Sequence, residues 1–123
     1  MSDYDADGRV DLVVTQNGAE TKLYRNREAK VGLRVRLKGP AGNPTGVGAM
    51  LRIETKAGMG PAREIHAGSG YWSQDSPVQV MNASEPPTQI HVRWPGEKNT
   101  TRPVPLTAKE IEIDPSGGVK AVR

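Results

Sequence analysis

Four segments of this chain alternate apolar and polar side chains with a period of two, and this alternation constrains the fold more than any other feature. In Leu33-Arg34-Val35-Arg36-Leu37-Lys38 every second residue is apolar and every other one cationic. The same period returns in Leu51-Arg52-Ile53-Glu54, in Ile90-His91-Val92-Arg93-Trp94 and in Glu110-Ile111-Glu112-Ile113-Asp114. Each segment predicts a strand with one face buried, and Trp94, in phase with Ile90 and Val92, is assigned to the core. Shorter strand candidates are Leu12 to Thr15, Lys22 to Arg25, Arg63 to His66, Val78 to Met81 and Arg102 to Leu106, the last pushed to an edge by Pro103 and Pro105.

Glycine and proline, 14 and 10 of the 123 residues, interrupt these segments too often for long helices. Turns are expected at Gly39-Pro40-Ala41-Gly42-Asn43-Pro44, Gly58-Met59-Gly60-Pro61, Glu85-Pro86-Pro87 and Pro95-Gly96-Glu97. Strands with one apolar face must cover it with another sheet. The expected fold is therefore all-β, an antiparallel two-sheet β-sandwich of about eight or nine short strands, with a partly open barrel as the alternative. A boundary is expected near Asn26 to Val31, dividing an acidic segment, residues 1–30, from an alternating module, residues 31–123.

Several function classes drop out on composition. With no cysteine the chain has no disulfide, thiolate metal site or cysteine nucleophile. No apolar run is long enough to span a membrane, and the amino terminus lacks the basic and apolar regions of a signal peptide. The net charge of +3 comes from cations dispersed along the chain, as on a solvated surface.

The sharpest chemical signal is Asp3-Tyr4-Asp5-Ala6-Asp7-Gly8-Arg9-Val10-Asp11, with carboxylates at relative positions 1, 3, 5 and 9 and glycine at 6. Hard oxygen donors at this spacing suit Ca²⁺, held by Asp3, Asp5, Asp7 and Asp11 with the Arg9 carbonyl as a further ligand. Val14 stands where an EF-hand has its bidentate glutamate, so this is a shorter loop leading into a strand. The alternative is a solvated acidic turn without an ion.

Other candidates are less specific. In Gly68-Ser69-Gly70-Tyr71-Trp72-Ser73-Gln74, the adjacent Tyr71 and Trp72 either receive a glycan or peptide or divide between core and surface, as strand alternation favours. Arg34, Arg36 and Lys38 form a cationic ridge for a polyanion, or a surface offset by neighbouring glutamates. No aromatic residue interleaves with them, which disfavours nucleic acid. His66, His91 and Ser69 have no neighbours at triad or metal-ligand spacing, so a hydrolase has little support and no catalytic residue is assigned. Both histidines are expected at the surface.

Taken together, these segments resemble the end of an FG-GAP type repeat followed by an ASPIC/UnbV domain. Asp3-Tyr4-Asp5-Ala6-Asp7-Gly8, Asp11-Leu12-Val13-Val14 and Leu23-Tyr24-Arg25-Asn26 are similar to the repeat. Leu33 to Gly39, Asn43, Gly48-Ala49, Gly68-Ser69-Gly70-Tyr71, Ser73-Gln74 and Val92-Arg93-Trp94-Pro95 are similar to the second module. Val80-Met81-Asn82-Ala83 departs from that module's usual Phe-Gly-Leu-Gly, and a serine expected after Trp94-Pro95 is missing. The resemblance implies an extracellular or cell-envelope protein, calcium-associated, with a role in adhesion or assembly. The resulting expectation is a noncatalytic binding or structural module, able to self-associate through its amino-terminal strands.

Overall fold

The computed structural model describes residues 1–96 and 98–123, so the expected turn at Pro95-Gly96-Glu97 lies partly outside the described residues. The alternating segments are strands. In chain order the strands are β1 (Leu12–Gln16), β2 (Ala19–Tyr24), β3 (Leu33–Leu37), β4 (Met50–Thr55), β5 (Gly58–Met59), β6 (Arg63–Glu64), β7 (Gln79–Met81), β8 (Gln89–Arg93), β9 (Asn99–Pro103), β10 (Glu110–Ile113) and β11 (Val119–Ala121). No helix forms among the described residues, and none is long and apolar enough to cross a membrane.

Two sheets make a β-sandwich. One is four-stranded in the order β11-β10-β3-β7; the other runs β5-β4-β8-β9, with β6 also paired to β4. The apolar phases read from the sequence meet between them. Leu33, Val35 and Leu37 of β3 and Ile111 and Ile113 of β10 lie in one cluster with Leu51 and Ile53 of β4, Ile90 and Val92 of β8, and Trp94. The indole Nε1 of Trp94 donates to Thr100 Oγ1 at 3.1 Å, so the buried ring leaves no polar atom unpaired.

Three expectations about strands are corrected. First, the described residues form 11 strands. β5 arises at Gly58-Met59, expected to lie within a turn, because the chain turns one step earlier at Lys56-Ala57 and Thr55 pairs with Gly58 across it, and β11 follows Gly117-Gly118, whose glycines conceal it. Second, the pairing is not wholly antiparallel: β3 and β10 run parallel, with Arg34 opposite Glu110 and Arg36 opposite Glu112. Third, the edge strand expected at Arg102 to Leu106 begins at Asn99, where Asn99 pairs with Arg93. It ends at Pro103, whose missing amide would face away from β8, and the Val104 amide still bonds the Thr88 carbonyl at 3.0 Å.

β1 and β2 form a separate hairpin closed by Asn17-Gly18. The chain before it lies over the four-stranded sheet, with the Gly32 amide bonded to the Gly8 carbonyl at 2.8 Å and Arg123 Nη2 to the Ala6 carbonyl at 2.9 Å. That sheet's outer face is therefore partly covered.

Tight packing after β3 makes one glycine irreplaceable. A Cβ on Gly39 would run into the backbone carbonyl oxygen of Asn43, whereas one on Gly42 would meet nothing within 4 Å. Gly39→Ala should lower stability by about 1–3 kcal/mol, and Gly42→Ala should leave it within about 1 kcal/mol. Urea unfolding midpoints of the two variants provide the check; equal values would contradict this account of the loop.

Candidate functional site

The amino-terminal loop folds by binding its own backbone. Asp3 Oδ1 accepts the Asp7 amide at 3.0 Å and Asp3 Oδ2 the Gly8 amide at 2.9 Å. Asp11 Oδ2 accepts the Tyr4 amide at 2.9 Å and its Oδ1 the Asn26 amide at 2.8 Å, tying the two ends of the segment together. Gly8 has φ of +85°, the left-handed region where glycine is free of Cβ strain. Ser2 and Asp11 exchange backbone hydrogen bonds of 3.2 and 2.7 Å, closing the loop at its base.

This folding brings three of the four expected carboxylates together. One oxygen each from Asp3, Asp5 and Asp11 lies within 4.8 Å of the others. Asp7 is drawn aside by Arg9, whose Nη1 meets its Oδ2 at 3.1 Å and whose amide donates to its Oδ1 at 2.9 Å; Arg25 Nη2 lies 3.6 Å from Asp7 Oδ2 but pairs more closely with Asp5 Oδ2, at 2.5 Å. Desolvation raises the Asp7 pKa, but Arg9 and Arg25 outweigh it and hold the carboxyl below its ordinary value. Arg9 enters the site as a counter-cation to Asp7, also donating from Nε to the Ala29 carbonyl at 2.7 Å.

Beneath the loop lies an ionic cluster that the local pattern did not reveal. Arg34 occupies the outward phase of β3, yet it is only 7% exposed. Its Nε donates to Glu110 Oε2 at 2.8 Å and its Nη1 to the Asp3 carboxylate. Glu110, 3% exposed, also receives Arg36 Nη2 at 3.0 Å and Arg123 Nη2 at 3.5 Å. The parallel register sets Arg34 beside Glu110 and the loop delivers Asp3, so the pair is both shielded and hydrogen-bonded. The expected ridge is broken up accordingly: Arg34 is buried, Arg36 is paired, and only Lys38 has no carboxylate partner among the described residues.

The aromatic pair lies elsewhere. Tyr71 and Trp72 are 93% and 89% exposed, so neither ring enters the core. Trp72 has φ of +51°, which breaks the alternation that would have sent one ring inward. The rings meet edge to face, with centroids 6.1 Å apart and planes at 82°. Gln74 braces the turn by accepting the Gly68 amide and donating to the carbonyls of His66 and Asp75, while Ser69 Oγ accepts the Asp75 amide. Ser69 serves the turn in this way. His66 is exposed with Glu64 3.8 Å away; His91 is half-buried, between Glu54 Oε2 at 2.8 Å and Thr101 Oγ1 at 3.0 Å, and not fully at the surface as expected.

The family model described as ASPIC and UnbV matches residues 39–119, well over half of the chain. The chain belongs to the ASPIC and UnbV family. Comparison with curated proteins and with solved structures returned no match. The matched region of this ASPIC/UnbV protein runs from the loop after β3 to the start of β11 and includes the aromatic turn. The carboxylate cluster and Arg34 precede it. Glu110, within the match, reaches the amino-terminal loop through Arg34, and the Ser76 amide, also within it, bonds the Met1 carbonyl directly at 2.9 Å.

Burial alone would raise the Glu110 pKa, but the hydrogen bonds and charges of Arg34 and Arg36 outweigh it and hold the carboxyl below its ordinary 4.5. With the folded pKa depressed, the unfolded chain takes up its proton first as pH falls. The stabilisation is complete above the unfolded value and is lost as pH drops from about 4.5 through the folded value. Wild type should thus lose stability more steeply than Glu110→Gln over this acid interval, as read from urea midpoints. Parallel pH profiles would contradict the assignment.

Proposed function

We propose that this chain is a noncatalytic binding module of an extracellular or cell-envelope protein, in which calcium orders the amino-terminal loop against the ASPIC/UnbV sandwich. The observation that carries this reading is the convergence of Asp3, Asp5 and Asp11. An ionised carboxylate offers about four lone-pair positions. The hydrogen bonds and ion pairs of these three leave positions open on each, so the donor set fits a hard divalent cation. Calcium would supply positive charge to the loop, with water and backbone carbonyls completing its coordination. Residues 1–30, with the loop and hairpin, are then the end of an FG-GAP type repeat leading into the module of residues 31–123, and adhesion or assembly is the role that fits them.

A second reading, which joins the first, rests on Tyr71 and Trp72. Two large rings held almost wholly in water by a braced turn, one of them at a strained backbone angle, favour contact with a glycan or peptide. Their edge-to-face arrangement offers single ring faces for stacking. Trp94 is buried, so ligand-dependent quenching of tryptophan fluorescence reports on Trp72. Oligosaccharides or peptides that bind should quench it, and Trp72→Ala should remove the response; a change that survives the substitution would count against this surface.

For calcium, the extracellular range of dissociation constants, about 10⁻⁴–10⁻³ M, is expected. A concentration tenfold above the dissociation constant then adds about 1.4 kcal/mol, a melting-temperature rise of several degrees. Asp5→Ala should abolish the rise at little structural cost, since Asp5 is the exposed member of the three. No shift in wild type at several millimolar calcium, or an equal shift in the variant, would overturn the proposed site.

A further inference from the structure

The β1–β2 hairpin turns on Asn17-Gly18, two exposed residues between Gln16 and Ala19, which pair across the turn. Little holds this tip in place. The register shifts between Val14 and Gln16, so the ladder beside the turn is irregular, and a hairpin with both faces in water is marginal. Gln16 Nε2 donates to the Glu20 carbonyl at 3.4 Å and so bypasses the two turn residues. Among the described residues the Asn17 carboxamide makes no hydrogen bond and the Gly18 amide donates to no acceptor. A Cβ on Gly18 would meet nothing within 4 Å, so the space round its nitrogen is open.

That combination carries chemistry. The side-chain carbonyl carbon of an asparagine and the amide nitrogen of the next residue can close a five-membered ring, provided that both are free and that no Cβ crowds the approach. Of the five asparagines, Asn17 is the one followed by glycine. Asn26 is tied down: its Oδ1 accepts the Glu28 and Ala29 amides and its Nδ2 donates to the Val10 carbonyl at 3.2 Å. Asn43 bonds Val47 through both ends of its carboxamide and precedes Pro44, which has no amide proton. Asn82 and Asn99 precede Ala83 and Thr100, each with a Cβ. Asp7-Gly8 has the same spacing, but the Gly8 amide is bound to Asp3 Oδ2 at 2.9 Å and the Asp7 carboxylate is held by Arg9.

We propose that Asn17 is a site of spontaneous covalent modification, with water as the co-reactant. The Gly18 nitrogen, losing its proton to solvent, attacks the Asn17 side-chain carbonyl carbon. A new carbon–nitrogen bond forms, the bond to the side-chain nitrogen breaks, and ammonia leaves with the proton it takes up, giving a cyclic succinimide. Water then opens the ring at either carbonyl. Opening at the side-chain carbonyl gives aspartate; opening at the main-chain carbonyl gives isoaspartate, with the backbone running through the former side chain. No electron transfer is involved, and the sum is one water consumed and one ammonia released. Either product adds a negative charge to the turn, and isoaspartate also lengthens its backbone by one atom.

The test follows the full chain by peptide mass mapping during incubation at mildly alkaline pH, folded and in urea, for wild type and Asn17→Gln. The folded wild type should gain the mass difference between amide and acid in the peptide that contains Asn17, before any other asparagine reacts. Isoaspartate in that peptide is read independently by enzymatic methylation of its free carboxyl. Asn17→Gln, whose side chain would have to close a larger ring, should lose both signals. Because the turn leaves the reacting groups free, the folded rate at Asn17 should lie within about fivefold of the rate in urea. Isoaspartate at Asp7-Gly8 should appear in urea and be suppressed in the folded chain. Protection of Asn17 by more than about fivefold on folding, or faster conversion at another asparagine, overturns the proposal. Equal isoaspartate at Asp7-Gly8 in both states would overturn it as well, because sequence and not the bound amide would then decide the reaction.

Discussion

The ion pair between Arg34 and Glu110 is the buried charge contact on which the amino-terminal loop rests. Both groups project from the outer face of the four-stranded sheet, where solvent would ordinarily hydrate them. Here the amino-terminal loop lies over that face and brings Asp3 to the remaining side of the guanidinium. A buried cation left unpaired would be costly, as would a buried carboxylate. Each of the three therefore requires the other two. This interdependence, together with the bonds of Gly32 to Gly8, Ser76 to Met1 and Arg123 to Ala6, fixes the position of the loop, and with it the direction in which Asp5 and Asp11 present their oxygens.

The sandwich beneath can bear this arrangement because its apolar contacts form without it. The core holds no phenylalanine and only one tryptophan; branched aliphatic residues fill most of it from both sheets. β3 serves both layers: Val35 and Leu37 point into the core, while Arg34 points outward to the loop. Parallel pairing with β10 is what makes the outer contact work, since it sets Glu110 directly beside Arg34. Arg123 then adds a second tie, reaching from the last residue to both Glu110 and the Ala6 carbonyl.

Much of the fold was legible in the sequence, because a period of two states which side chains face inward regardless of what the strand pairs with. That is why Val35, Ile53, Val92 and Ile111 were placed in the core and are buried there. The same pattern says nothing of what covers the opposite face. Alternation accordingly leaves Arg34 either in a cationic ridge or on a surface offset by neighbouring glutamates, and gives no sign of the segment some thirty residues earlier in the chain that shields it. Nor does alternation distinguish parallel from antiparallel neighbours, so the link between β3 and β10 was invisible. In the loop, the Asp spacing marks all four carboxylates alike; the three-dimensional position of Arg9 separates Asp7 from the rest. The exposure of both Tyr71 and Trp72 depends on one left-handed backbone angle, which residue type does not announce at tryptophan.

The central claim is that the link from Arg34 to Asp3 holds the carboxylate loop on the sandwich. A double-mutant cycle of Asp3→Asn and Arg34→Met, read as unfolding free energy from urea titrations at neutral pH, measures that link directly. The account predicts that the two substitutions are coupled by about 1–3 kcal/mol, the range for groups within one buried ionic network. Effects that add to within about 0.5 kcal/mol would show the loop to be held by other contacts, and would contradict the claim.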